Sequence, residues 1–156
     1  MGAREVPQVS SGSLKKGMRL PTVADLMRRE FITVPPEEPL LEARRTMRLA
    51  RLRHLLVAEN GMLVGIVSYR NLQDEVIERA AREAGAAWLE ALRGVPVREA
   101  MVAAPYTVHP QSPADEAARR MLRLHLGCLP VCEDGADARR LVGLLAESDL
   151  LRAAWR

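Results

Sequence analysis

The 156-residue sequence predicts an α+β fold in which one β-α-β-β-α unit occurs twice. The two copies are expected to pack sheet to sheet about a pseudo-two-fold axis. Three observations carry that expectation. A shift of 74 residues superposes Val23, Met27, Thr33, Val34, Pro36, Pro39, Ala43, Met47, Leu55, Val57 and Gly61 on Val97, Met101, Thr107, Val108, Pro110, Pro113, Ala117, Met121, Leu129, Val131 and Gly135. Within each copy the apolar pattern switches between helical and extended periods. A unit of ~60 residues is marginal alone, so two packed units are expected. Beyond the Gly the shift becomes 78, because "ADARR" at 136–140 lengthens the second copy. The expected boundaries are a flexible tail over 1–18, rich in Ser, Gly and charge, a first repeat over 19–93 and a second over 94–156.

Taken in order, Thr22 is placed to cap a short helix, "VADLMRR", with Asp25 in its first turn. A strand follows, "FITV" in the first copy and "YTV" in the second. The prolines of "PPEEP" and "HPQSP" end it, because proline has no N–H for a ladder. An amphipathic helix comes next, apolar at Leu40, Ala43, Met47 and Ala50, and in the second copy at Ala114, Ala117, Met121 and Leu124. The runs "HLLVAE" and "MLVGIVS", joined by Asn60-Gly61, predict a hairpin. The last helix of the first copy is expected to start near Tyr69 and continue through "NLQDEVIERAAREAGAAWLEAL".

Each copy closes on the same corner, "GIVSYRNL" at 65–72 and "GLLAESDL" at 143–150. Both predict a buried strand turning into a helix, with Asn71 at the tip of one and Asp149 at the tip of the other. A carboxylate only accepts hydrogen bonds and receives two at once, which suits a vicinal diol. A hydroxyl beside a helix N-terminus adds a donor where backbone N–H groups already favour an anion. An acidic or amide residue one turn into a helix also serves as an ordinary N-terminal stabiliser, so both roles stay open for these two residues.

Composition sets wider bounds. Apolar residues are 48% of the chain and only five are aromatic, so the core is expected to be aliphatic. The net charge is +3, but acidic and basic residues alternate along the chain. That pattern predicts solvated helix faces rather than a nucleic-acid stripe, although Lys15, Lys16 and Arg19 make the tail basic. No run reaches the ~18 apolar residues that a membrane helix needs, and no apolar leader precedes the repeats, which leads to an expectation of a cytoplasmic protein. Cys128 and Cys132 fall four apart in an expected strand, about 13 Å from each other, too far for a disulfide. With no His or acidic partners at ligand spacing they are read as buried thiols, and no metal site is expected. None of the catalytic motifs G-x-S-x-G, G-x-x-x-x-G-K-[ST], H-E-x-x-H or G-x-G-x-x-G is present, so a non-enzymatic role is expected.

The order and repetition of "VADLM", "ITVPP", "RHLLVAENGMLVGIVSYRNL", "VREAM", "YTVHP", "GCLPVCEDG" and "LVGLLAESDL" resemble a tandem pair of cystathionine-β-synthase-like (CBS) domains, often called a Bateman module. The resemblance covers roughly residues 20–156. It implies a regulatory module that binds an adenosine-containing ligand (AMP, ADP, ATP or S-adenosylmethionine) in clefts between the repeats, with no obligatory cofactor. It also implies a disc-like homodimer and a regulated partner protein. The family's closing pattern ends in an Asp that bonds ribose hydroxyls and carries a Thr or Ser that meets a phosphate. On this sequence the resemblance assigns Asp149, Ser148, Ser68 and Asn71 to ribose and phosphate, with Arg53 and His54 as basic groups against the phosphate. Arg53 and His54 also complement a helix C-terminus without any ligand. Thr33, Val34 and Pro36, with Thr107, Val108 and Pro110, are the implied adenine pockets; as half-buried strand residues they need no ligand either. Neither corner is complete, since Ala146 stands where a hydroxyl is expected and Asn71 where the Asp is expected. The alternative is a ligand-free structural or adaptor dimer that binds a partner protein.

Overall fold

The structure, a computed structural model, describes residues 19–82, 93–135 and 138–155. The expected tail at 1–18 and the last stretch of the long helix, 83–92, lie outside the described residues. In the first repeat the elements are α1 (Val23–Leu26), β1 (Thr33–Val34), α2 (Leu40–Ala50), β2 (His54–Glu59), β3 (Met62–Ser68) and α3 (Tyr69–Arg82). The second has a 3-10 turn (Val97–Glu99), β4 (Val102–Ala103), α4 (Ala114–Leu124), β5 (Cys128–Gly135), β6 (Ala138–Ala146) and α5 (Glu147–Ala154). The chain is an α+β repeat protein, as the pattern predicts.

The two copies agree in backbone detail. α2 and α4 both span 11 residues and end in a left-handed residue, Arg51 at φ 54° and His125 at φ 53°. Leu40, Ala43 and Met47 are buried, as are Ala114, Ala117 and Met121. Ala50 is exposed, because it lies at the helix end, where the apolar face has rotated off the sheet. β2 and β3 pair antiparallel with a bulge between Val57 and Ala58; β5 and β6 repeat this with a bulge between Val131 and Cys132. Asn60 and Gly61 both take positive φ, as a tight two-residue turn requires.

Hydrogen bonding runs through β1-β2-β3-β6-β5, with β4 on β3. The middle of β2 is buried on both sides. Leu55, Val57 and Val67 face the helices, while Leu56 and Leu63 meet Cys132, Leu141 and Leu144 of the other repeat. That second cluster is the sheet-to-sheet contact.

The segment that opens each repeat crosses to the other one. Val23, Leu26 and Met27 pack into the second repeat's core, and Val95, Val97 and Met101 into the first repeat's. The crossing is pinned by paired hydrogen bonds: Val23 N–H to Ser112 O at 2.9 Å and Val97 N–H to Glu38 O at 2.8 Å. The expected helix over 23–29 accordingly stops at Leu26. Met27 is extended at ψ 151°, and Arg28 exchanges backbone hydrogen bonds with Leu144 at 2.9 and 3.0 Å. Gly143 makes the approach possible: a Cβ there would lie 2.6 Å from Met27 Sδ and 3.0 Å from Arg28 O. Gly65 plays the same part against Met101 and Val102.

Candidate functional site

The corner after β3 is closed by its own side chains. Ser68 is the cap of α3, and Asn71 stands three residues on. Asn71 Oδ1 accepts from Ser68 N–H at 3.1 Å and from Ser68 Oγ at 2.6 Å, and Ser68 Oγ accepts from Asn71 N–H at 3.1 Å. This is a reciprocal capping box. His54 stands directly across from Ser68 in the β2–β3 register, so Arg53, His54, Ser68 and Asn71 form one group. Burial pushes the His54 imidazole below its ordinary value, and the adjacent Arg53 charge acts in the same direction. The His54 ring also crosses to the other repeat, where its Cε1 is 3.1 Å from where a Gly127 Cβ would be.

The corner after β6 has the same backbone and different bonds. Asp149 Oδ2 accepts from Ala146 N–H at 3.0 Å. Ala146 has no hydroxyl to offer, so Oδ1 takes a guanidinium instead: Arg28 Nε at 2.9 Å and Nη2 at 2.8 Å. Arg28 Nη2 also donates to Ser148 Oγ at 3.0 Å, and Arg152 Nη1 stands 3.7 Å from Oδ1. Asp149 is the buried charged residue among those described, 8% exposed. A hollow of about 400 Å³ opens beside it, lined also by Asp25, Leu26 and Arg152. Burial of a carboxylate at this level demands such partners.

Arg28 was not among the residues that the sequence singles out. It lies 121 residues from Asp149, and no periodicity links the two. The signal lay in the repeat alignment: Arg28 falls opposite Val102, and Asp149 opposite Asn71. Each copy carries a charge at one of the two positions, Arg28 in the first and Asp149 in the second, and the crossing of the opening segments brings the two charges to one corner.

The strand residues are placed less openly. Val34 and Val108 are buried in the two helix-side cores, and Pro110 is buried with its carbonyl accepting from Ala24 N–H at 2.8 Å. Thr33 is exposed, and Pro36 and Thr107 are half-buried. The Thr107 carbonyl accepts from Arg120 Nη1 at 3.1 Å. Of these six, Thr33, Pro36 and Thr107 offer side-chain surface. The two thiols are free and buried, and burial pushes Cys128 up to about 12. Arg19, counted with the basic tail, forks onto Asp25 at 2.9 and 3.0 Å. Among the described residues no helix is long and apolar enough to cross a membrane.

Comparison with known proteins gives a consistent picture. The CBS domain family matches residues 23–78 and 97–156. A CBS domain-containing protein of Dictyostelium discoideum is 32% identical over 130 residues, 83% of this chain and 88% of the relative. An inosine-5′-monophosphate dehydrogenase of Korarchaeum cryptofilum is 32% identical over 122 residues, 78% of this chain and 22% of the enzyme. A homoserine O-acetyltransferase of Methanococcoides burtonii is 29% identical over 132 residues, 84% of this chain and 24% of the enzyme. The chain thus spans about a quarter of the length of those two enzymes. Among solved structures, CBSX2 of Arabidopsis thaliana superposes with a TM-score of 0.69 at 27% identity, covering 86% of this chain and 94% of that one. CBSX2 in complex with AMP gives a TM-score of 0.70 at 26% identity over 86% and 96% of the two chains. The CBS domain pair of MJ0100, in complex with 5′-methylthioadenosine and S-adenosyl-L-methionine, gives 0.69 over 88% and 98%; at 22% identity this is a likeness of fold.

Proposed function

The chain belongs to the CBS domain family as a tandem pair, and on that premise we propose that it is a regulatory module binding an adenosine-containing ligand at the Asp149 corner. AMP, ADP, ATP and S-adenosylmethionine are the candidate ligands. The observation that carries this is a buried carboxylate beside an open hollow, hydrogen-bonded to the Arg28 guanidinium, which in turn bonds the Ser148 hydroxyl. Those are the groups a ribose diol and a phosphate require. The AMP complex of CBSX2 supports the ligand class. In the other corner Ser68 and Asn71, with Arg53 and His54, form the second candidate site. Thr33, Pro36 and Thr107, with the backbone of Val34, Val108 and Pro110, are the proposed adenine contacts. The role is regulatory rather than catalytic: ligand binding orders the cleft and shifts the equilibrium between two packings that a partner protein reads.

The proposal includes a homodimer. A groove of about 760 Å³ between α1, α4 and α5 is lined by Met121, Leu126 and Leu150, and Leu122 and Leu151 beside it are 72% and 56% exposed. Its charged lining groups, Asp115 and Glu147, are acidic, whereas the corresponding side of α2 carries Arg44 and Arg48. A second copy of the chain therefore complements it in both charge and apolar surface.

Calorimetry with AMP, ATP and S-adenosylmethionine tests the proposal. At least one is expected to bind at micromolar concentration, and Asp149→Ala should weaken it at least tenfold. Absence of heat with all three would favour a ligand-free adaptor. One observation speaks for that second reading: among the described residues no buried side-chain N or O lacks a partner, so both corners are satisfied without a ligand.

A further inference from the structure

We propose that Arg28 decides which ligands the Asp149 corner accepts: it occupies the carboxylate of the empty corner, moves onto the ligand's phosphate when a ribose takes its place, and so selects phosphate-bearing adenosine compounds. The inference rests on the reading that Asp149 receives a ribose.

The argument begins with lone pairs. Asp149 Oδ2 is committed to Ala146 N–H at 3.0 Å, and Oδ1 accepts from Arg28 Nε–H at 2.9 Å with Nη2 of the same guanidinium in ion-pair contact at 2.8 Å. A vicinal diol donates from two neighbouring hydroxyls and needs both carboxylate oxygens. Oδ2 keeps one lone pair free, but Oδ1 is covered by the guanidinium, so a ribose must displace Arg28. The main chain of Arg28 stays where it is, held on both sides by Leu144. Its side chain is 39% exposed and free to swing from that anchor. The displaced guanidinium then sits beside the corner as a planar fork of donors, which matches a phosphate bidentately.

The chemistry of the ligand sets the outcome. A nucleotide phosphate gives the guanidinium a new anion in place of Asp149. Adenosine gives it none, so the ion pair is lost and only the two diol hydrogen bonds replace it. S-adenosylmethionine brings a sulfonium cation close to the ribose, which opposes the displaced charge. The first corner shows what the device depends on. There Ser68 fills Asn71 Oδ1 from within, and Val102 stands where Arg28 would. Neither the charge nor the competitor is present, so no such selection is expected from Asn71.

Titration of the full chain with AMP and with adenosine, followed by calorimetry, tests this in three proteins: the natural sequence, Arg28→Gln and Arg28→Lys. The natural sequence is expected to bind AMP at least tenfold more tightly than adenosine. In Arg28→Gln that ratio should fall below about threefold, with adenosine binding strengthened because its competitor is gone. Arg28→Lys, which keeps the charge and serves if the Gln variant folds poorly, should retain more than half of the ratio on a logarithmic scale. A ratio unchanged in Arg28→Gln while AMP still binds would overturn the role of Arg28 and leave the binding reading intact. Equal binding of AMP and adenosine by the natural sequence would overturn it as well. Failure of both compounds to bind any of the three proteins would overturn the binding reading together with this one.

Discussion

In the corner after β3, the side chains of Ser68 and Asn71 close on each other; in the corner after β6, Asp149 reaches across the repeats to Arg28. The backbones match: each strand ends opposite the start of its hairpin partner, and each helix opens on the second residue before its polar tip. The hydroxyl at the cap is the difference that propagates. Where Ser68 donates into Asn71 Oδ1, the amide oxygen is saturated locally. Where Ala146 has nothing to donate, the carboxylate oxygen is open to a partner 121 residues away. One missing hydroxyl and one added charge turn a self-contained cap into a contact between repeats.

The scaffold beneath the corners should be indifferent to this divergence. Gly65 and Gly143 both let an exchanged segment approach β3 and β6, and a Cβ at either would press on a backbone carbonyl, Val102 O at 3.1 Å or Arg28 O at 3.0 Å. Gly65→Val and Gly143→Val are each expected to cost about 3 kcal/mol through overpacking. Chemical denaturation reads this as two similar shifts in midpoint. A cost at Gly143 much greater than at Gly65 would mean that the repeats differ in their scaffold as well as in their tips.

The corners themselves should respond unequally. Asp149→Asn leaves Arg28 without its counter-charge; because Arg28 is 39% exposed, the expected loss is discounted to about 1–2 kcal/mol. Asn71→Asp places a carboxylate in the first turn of α3 with the Ser68 donors already aimed at it. The helix N-terminus favours it, and the net change is expected within about 0.5 kcal/mol. Equal effects in the two variants would break the distinction between a cap and a cross-repeat ion pair.

What the sequence revealed follows the range of the interactions. The repeat shift, the helix period at Leu40, Ala43 and Met47, and the Asn60-Gly61 turn are local signals, and the elements they mark are present. The exchange of opening segments was not visible. Val23 and Val97 read equally well as core residues of their own repeats, and only packing shows that each serves the other. For the same reason "VADLMRR" read as two helical turns, although β-type pairing with Leu144 unwinds it after Leu26. At the tips the residue types were legible and their partners were not. Asp149 was evident from its place in the corner, and Arg28 emerged only once the fold brought position 28 beside position 149.

The smallest expected effect separates the two hairpin entrances. His54 and Cys128 are equivalent positions that face Ser68 and Ala146 across their hairpins. Cys128 is held up to about 12 and stays a neutral thiol over the physiological range. His54 is held below its ordinary 6.5, first by burial and then by the Arg53 charge. The folded protein therefore binds this proton less readily than the unfolded chain. The linked stability is fully present above pH 6.5 and is lost as pH falls from there through the lowered folded value. Unfolding midpoints measured at pH 7.5 and 5.5 should fall at the lower pH, and His54→Gln should shrink that fall while leaving the midpoint at pH 7.5 nearly unchanged. The window lies above the ordinary carboxylate range, so Asp25, whose carboxyl is held down by the Thr22 hydrogen bonds, does not contribute within it. If His54→Gln left the slope intact, the imidazole would be accessible to protons in the folded state. The entrance from Arg53 to Ser68 would then be as open as a phosphate site requires, and the first corner, rather than the second, would become the stronger candidate for a ligand.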